Sequence, residues 1–149
     1  MSELDIVFSQ EPFSLLDSAG RSLFRKSVKI IASKKGQKLI TEGEKGSTVY
    51  FLLTGCSSVL IDTAKGHLPI SHLYPPDFFG EIAVFDELLT GAKRTATVEN
   101  LTDVRVAAMS SDDFKNLCIQ NPVIIKSIEK IYKKRMQQLL ELKERIKNI

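Results

Sequence analysis

The stretch FGEIAVFDELLTGAKRTATVEN, residues 79–100, joins a Gly-Glu pair, a short apolar turn, a loop and an Arg entering a β-type run. A core element would not need the Gly, and a plain surface loop would not need the flanking apolar residues. The combination suits a small anion that also carries a hydroxyl. A single negative charge is well met by backbone N–H groups at a helix start together with one Arg donating two hydrogen bonds. Gly80, lacking a Cβ, lets the backbone come close. Residues 81–84 then form one helical turn whose first amides face the anion. Glu81 would repel the charge itself but can accept from a hydroxyl, and Arg94, on the "RTATV" strand, supplies the cation. Thr95 and Thr97 alternate there with Ala96 and Val98, separating polar from apolar faces at strand period. A plainer reading makes Glu81 and Arg94 a surface ion pair worth under about 1 kcal/mol. Spacing alone leaves both readings open.

On both sides of this stretch, from Ser27 to Met109, short runs rich in Val, Ile, Thr and aromatics alternate with turn residues. The runs are VKIIAS, KLIT, TVYFLLT, SSVLID, LPISHLY, RTATVE and VRVAAM. Strands recurring every 8–12 or so residues between turn signals predict a sandwich or barrel. AKG between two of them predicts a hairpin, with Gly66 supplying positive φ.

Helices are expected at both ends. Residues 11–26 read as short helical pieces, with Asp17 or Ser18 as a cap and Gly20 as a weak point. After Met109, Ser110 and Asp113 have capping-box spacing. Asn121-Pro122 then reads as a cap followed by Pro at the first position of a long helix. Ile125, Ile128, Tyr132, Met136, Leu139, Leu142, Ile146 and Ile149 step by three and four residues, an apolar stripe close to heptad spacing. Such a helix either pairs with a second copy or folds back onto its own barrel.

The chain has 149 residues, 43% hydrophobic and 26% charged, and its length fits one domain (1–149) with a proper core. Its net charge of +3 is uneven. From Pro122 onward eight basic residues face three acids, a balance of +5, which leaves −2 for the first 121 residues. The bland reading of such a segment is a solvated helix face. Cys56 and Cys118, far apart, read as reduced core residues of a cytoplasmic protein. His67 and His72 read as surface or hairpin imidazoles with no metal between them. No signal peptide, membrane span or nucleophile setting is visible, and the chain reads as non-enzymatic.

FGEIA followed by RTATV resembles the phosphate-binding cassette of cyclic nucleotide-binding domains, found in kinase regulatory subunits, gated channels and catabolite activators. GQKLITEGEKGSTVYFLLTGCSSVLI upstream is similar to the family's β-roll, with Gly36, Gly43 and Gly55 at turns, and NPVIIKSIEKIYKKRMQQLL resembles a dimerising C helix. The resemblance covers roughly residues 13–140. It implies a mainly β fold: an antiparallel, jelly-roll-like β-roll over 27–109, with the cassette at 79–98, N-terminal helices, and C-terminal helices over 110–149. It further implies a cAMP or cGMP ligand and no other cofactor. Gly80 would shape the turn and Glu81 would hold the ribose 2′-hydroxyl. The amides of Ile82 and Ala83 would meet the phosphate with Arg94, and Thr95 would contact phosphate or base.

Two departures stand out. Glu81 and Arg94 are 13 residues apart, longer than the family's habit, the excess falling in FDELLTGAK. The catabolite activators also hold adenine with a polar pair on the C helix where this chain has Leu139 and Leu140, an expected apolar base lid. The sequence therefore predicts a cAMP-favouring sensor, with cGMP the second candidate, that signals through its C-terminal helix as a homodimer to an unknown downstream protein. No DNA partner is expected, because the sequence stops where a winged helix-turn-helix would begin. The alternative is the same fold kept as an interaction module without nucleotide.

Overall fold

The computed structural model describes residues 2–81 and 93–147. Eight strands form two four-stranded antiparallel sheets: β1 (Val28–Ser33), β2 (Lys38–Ile40), β3 (Val49–Thr54), β4 (Ser57–Thr63), β5 (Gly66–Leu73), β6 (Phe78–Phe79), β7 (Thr97–Asn100) and β8 (Val104–Met109). One sheet has the order β1-β8-β3-β6 and the other β2-β7-β4-β5. This is the expected β-roll. The helices are α1 (Ser18–Ser27), α2 (Ser111–Gln120) and α3 (Ile125–Lys147). Short 3-10 turns lie at Glu3–Ser9, Phe13–Leu15 and Pro122–Ile124.

Strand period explains the layering. In β3, Val49, Phe51 and Leu53 project toward the helices, while Tyr50 and Leu52 project between the sheets. In β8, Ala107 and Met109 join the first core and Val104 and Val106 the second. A run apolar on every residue is thus a strand buried on both faces. The helix-side core is aromatic: Phe51 packs edge-on against Phe13 at 5.1 Å and Phe24 at 4.8 Å, with Phe78 stacked at 6.2 Å. The β4–β5 hairpin closes at Thr63 and Gly66, and Gly66 takes φ 108° as expected.

Several local expectations need correction. Helical structure begins at Glu3, well before residue 11, where Ser2 and Asp5 form a capping box. Asp17, rather than Ser18, caps α1 by accepting from the Gly20 amide at 2.8 Å. Gly20 is no weak point: a Cβ there would lie 2.5 Å from Asn121 Oδ1. Asn121 does not cap α3 with its side chain; its Nδ2 donates back to the Leu117 carbonyl of α2 at 3.0 Å. Ser110 does cap α2, accepting from the Asp113 amide at 3.1 Å. Both cysteines are free and half-buried, and only Cys118 packs on the core. Burial pushes the Cys118 thiol up to about 11.

α3 lies against its own roll, with Ile128 and Leu139 buried. Among the described residues no helix is long and apolar enough to cross a membrane. The aromatic packing predicts that Phe51→Ala, at a fully buried position, lowers stability by about 3–5 kcal/mol. Urea unfolding followed by circular dichroism measures this.

Candidate functional site

Strand β6 sets the site. Phe78 enters the helix-side core and Phe79 the inter-sheet core, so two successive residues are pinned on opposite faces. The next residue, Gly80, turns with φ 94°, and Glu81 follows in helical conformation with 1% exposure. The reason for glycine is more specific than free backbone approach. A Cβ on Gly80 would lie 2.6 Å from the Thr48 carbonyl and 3.1 Å from Arg94 Nη1. One on Gly46 would lie 3.2 Å from Arg94 Nε. Two glycines therefore make the slot for the guanidinium.

The expectation that Arg94 lies on the strand is corrected: β7 starts at Thr97, three residues later. The Arg94 amide donates to the Glu44 carbonyl at 2.8 Å, and its carbonyl accepts from the Gly43 amide at 2.9 Å. These bonds hold the backbone outside the ladder. Nor do faces alternate at Thr95–Val98, since Thr97 and Val98 are both buried. Thr97 Oγ1 accepts from the Glu42 amide at 2.9 Å, which accounts for a buried hydroxyl.

The Arg94 side chain is 8% exposed, with Nη1 donating to the Gly80 carbonyl at 3.2 Å and Nη2 to the Thr48 carbonyl at 2.9 Å. Among the described residues the ion pairs are Arg25–Asp5, His67–Asp62, Arg105–Glu3, Arg135–Glu81 and Lys147–Glu144, and none includes Arg94. Burial lowers its pKa from the ordinary value, opposed by electrostatic interaction with Tyr50 and Glu81. A guanidinium nevertheless stays protonated in proteins, so a nearly dry positive charge remains without a carboxylate in contact.

Glu81 and Arg94 line one cavity of about 510 Å³. Its apolar walls continue the inter-sheet core through Ile40, Val59, Leu73, Phe79 and Val98, and α3 covers it with Leu139 and Leu142. Gly80 and Thr95 also line it, and the Thr95 carbonyl accepts from Lys143 Nζ at 3.3 Å. The expected amides of Ile82 and Ala83, and all of FDELLTGA, lie outside the described residues. Leu139 is at the wall as expected; Leu140, 59% exposed, is not part of it. The two histidines lie elsewhere: His67 Nδ1 meets Asp62 Oδ1 at 2.7 Å on the surface, and His72 packs edge-on to Tyr74. Asp62 faces His67 across the hairpin, a partner the linear spacing had not offered. Among the described residues no group of His, Cys, Asp and Glu is placed to hold a metal.

Sequence reasoning passed over Arg135. From α3 its Nη1 donates to Glu81 Oε1 and to the Phe78 carbonyl, both at 2.7 Å, and its guanidinium sits 5.0 Å from the Phe78 ring centroid. Glu81 is therefore paired with the helix and not with Arg94. The available signal was an Arg within the face formed by Ile124, Ile128, Ile131 and Leu139, which an apolar count skips.

Fold and cavity together define a β-roll domain with a covered interior site. The chain belongs to the cyclic nucleotide-binding domain family, which matches residues 31–121. It is 35% identical over 100 residues to the cAMP-activated global transcriptional regulator CRP of Salmonella typhimurium, covering 66% of this chain and 46% of that protein. It is 34% identical over 123 residues to the cAMP-dependent protein kinase regulatory subunit of Debaryomyces hansenii, covering 83% and 26%. The chain thus spans half or less of the length of these relatives. Among solved structures, the Thermus thermophilus catabolite activator protein superposes with a TM-score of 0.74 at 19% identity, covering 92% of this chain and 61% of that one. The sensor domain of the transcriptional regulator DNR from Pseudomonas aeruginosa gives 0.76 at 16% identity, covering 93% and 91%. At these identities the two structures establish the shared fold.

The Glu81–Arg135 pair yields a stability prediction. Arg135→Met leaves the buried carboxylate unpartnered and lowers stability by about 2–3 kcal/mol, reduced from a fully buried pair because Arg135 is 29% exposed. Glu81→Met combined with Arg135→Met recovers most of the loss, as a double-mutant cycle in urea shows.

Proposed function

We propose that the chain is a regulatory sensor that binds a cyclic nucleotide in this cavity and transmits occupancy through α3. The observation that carries the proposal is Arg94: a buried cation with no carboxylate in contact among the described residues, facing a cavity that also contains a carboxylate. An anionic phosphate supplies the missing counter-charge at Arg94, with the Ile82 and Ala83 amides as further donors. Glu81 accepts from the ribose hydroxyl while Gly80 keeps the turn open, and Thr95 stands beside the phosphate. The two relatives above are named for cAMP, which makes cAMP the first ligand to test and cGMP the second.

Transmission rests on what α3 touches. Arg135 holds Glu81, Lys143 holds the Thr95 carbonyl, and Leu139 forms part of the wall. A ligand seated among these groups changes the surface on which α3 rests, and the helix shifts by no more than the ligand's differential affinity allows. A homodimer through α3, a downstream protein partner, a cytoplasmic setting and a non-enzymatic role belong to the same proposal.

One observation favours a second reading: Glu81 is already paired with Arg135, as it would be in an interaction module that needs no nucleotide. A thermal-shift screen separates the two. Cyclic nucleotide at about 100 times its dissociation constant adds about 2.7 kcal/mol and raises Tm. No shift at millimolar cAMP or cGMP selects the interaction module.

Arg94→Ala is expected to weaken binding by about 2–3 kcal/mol, and Arg94→Lys to restore only part of that, because an ammonium lacks the two-pronged donor. Calorimetry on both variants, with circular dichroism as a check of folding, measures the effect. Unchanged affinity in Arg94→Ala removes this residue from the site.

A further inference from the structure

A second hollow, of about 380 Å³, shares Arg135 and Gln138 with the cavity of Arg94 and has its other walls elsewhere. It lies between the N-terminal 3-10 turns, the turn before β6, and α3. Its volume falls within the roughly 300–1,000 Å³ of small-ligand sites. Val7, Phe13 and Phe78 of the helix-side core, with Ile131 packed against them, form its apolar wall. Ile131, Lys134, Arg135 and Gln138 reach it from one face of α3, at the three- and four-residue steps of a helix.

The charged groups of this hollow divide by sign. Glu11 and Asp77 come from the N-terminal segment and the turn, whereas Lys134 and Arg135 come from α3. Asp77 is held firmly. Its Oδ2 accepts from the Tyr74 amide at 2.9 Å, and its own amide donates to the Tyr74 carbonyl at 2.7 Å. Arg135 is committed to Glu81. Among the described residues neither Glu11, Asp77 nor Lys134 belongs to an ion pair. Carboxylates and an ammonium thus border one apolar wall without being joined to each other. A simple anion placed there is repelled by Glu11 and Asp77, and a simple amine by Lys134. A molecule with both charges at one end and an apolar group at the other meets every part of the lining, and juxtaposed like charges are what exclude the rest.

We propose that this hollow is a second ligand site, taking an α-amino acid with an aromatic or branched aliphatic side chain. The carboxylate of the amino acid meets Lys134, its ammonium meets Glu11 and Asp77, and its side chain lies on Phe13, Phe78 and Ile131. Because Arg135 also holds Glu81, an occupant bears on the ion pair that seats α3. The site is therefore an input to the helix separate from the cavity of Arg94, and it stands independently of the nucleotide-binding reading. Glu11 and Lys134 are exposed, so water competes and the affinity is on the order of millimolar.

The test is a methyl NMR titration of the full chain with L-phenylalanine, in the absence of any nucleotide. Saturable shifts are expected at the methyls of Val7 and Ile131, with those of Leu73 and Val98 in the other cavity unmoved. Phenethylamine and 3-phenylpropionate, each lacking one of the two charges, are expected to bind at least about threefold more weakly. Glu11→Gln and Lys134→Gln each weaken L-phenylalanine roughly threefold to fivefold, and matching melting curves verify that these exposed changes leave the fold intact. No saturable shift at tens of millimolar overturns the site, as do shifts centred on Leu73 and Val98. Equal binding of all three probes, or unchanged affinity in both variants, overturns the amino-acid assignment.

Discussion

The ion pair between Glu81 and Arg135 ties the molecule's two halves together. Glu81 is 1% exposed, and an isolated carboxylate at that depth costs several kcal/mol unless something pairs with it. Its partner comes from a helix 54 residues later in the sequence. Satisfying that one charge fixes where α3 crosses the roll. Once Arg135 is placed, the helical repeat places Leu139 and Leu142 over the cavity without further instruction. The same guanidinium also takes the Phe78 carbonyl, so the pair is anchored on the strand residue pinned by the aromatic core. Core packing, cassette geometry and helix position are consequently one coupled arrangement.

Arg94 is the complementary case. It sits where a Cβ on either Gly46 or Gly80 would crowd it, with two backbone carbonyls satisfying part of its donor set. Carbonyl dipoles orient a guanidinium but do not neutralise it, and burial disfavours the charge. An anion entering the cavity would relieve that penalty, whereas Glu81, already committed to Arg135, does so only at a distance. The two charged residues of the cassette thus have different roles in the chain as it stands: one is discharged into the helix and the other remains available.

The fold was largely legible because its signals are local. Runs such as VYFLLT and VRVAAM announce strands, and their lack of alternation reports burial on both faces. Phe78–Phe79 escaped notice because two residues carry no period, although each is held in a different core. The helix was legible in extent and in most of its phase, since Ile128 and Leu139 of the expected stripe are buried and Leu142 lines the cavity. What apolar counting passed over is that the packed face also takes in Ile131 and Arg135, the second through an ion pair in place of an apolar contact. Arg94 was read onto a strand because RTATV alternates. Its backbone instead bonds to Gly43 and Glu44, a loop more than forty residues earlier. Long-range hydrogen bonds of that kind leave no trace in local spacing.

The charge asymmetry of the C-terminal segment is for the most part the solvated helix face expected of it, with a few cations turned inward. Of the eight basic residues after Pro122, Arg135 and Arg145 line the cavity and Lys143 bonds to the Thr95 carbonyl at its edge. Three of the eight are thereby brought to the hollow that contains Arg94, while Lys126, Lys130, Lys133, Lys134 and Lys147 remain exposed. Walls of Ile40, Leu73 and Val98 keep the local dielectric low around the buried Arg94, which is less screened than it would be on an open surface. If the cavity takes the proposed anionic ligand, Arg94 is the cation left to meet it, because Arg135 is already paired with Glu81. Under that reading, attraction falls to Arg94 and hydroxyl recognition to Glu81, two residues of opposite sign that line one cavity.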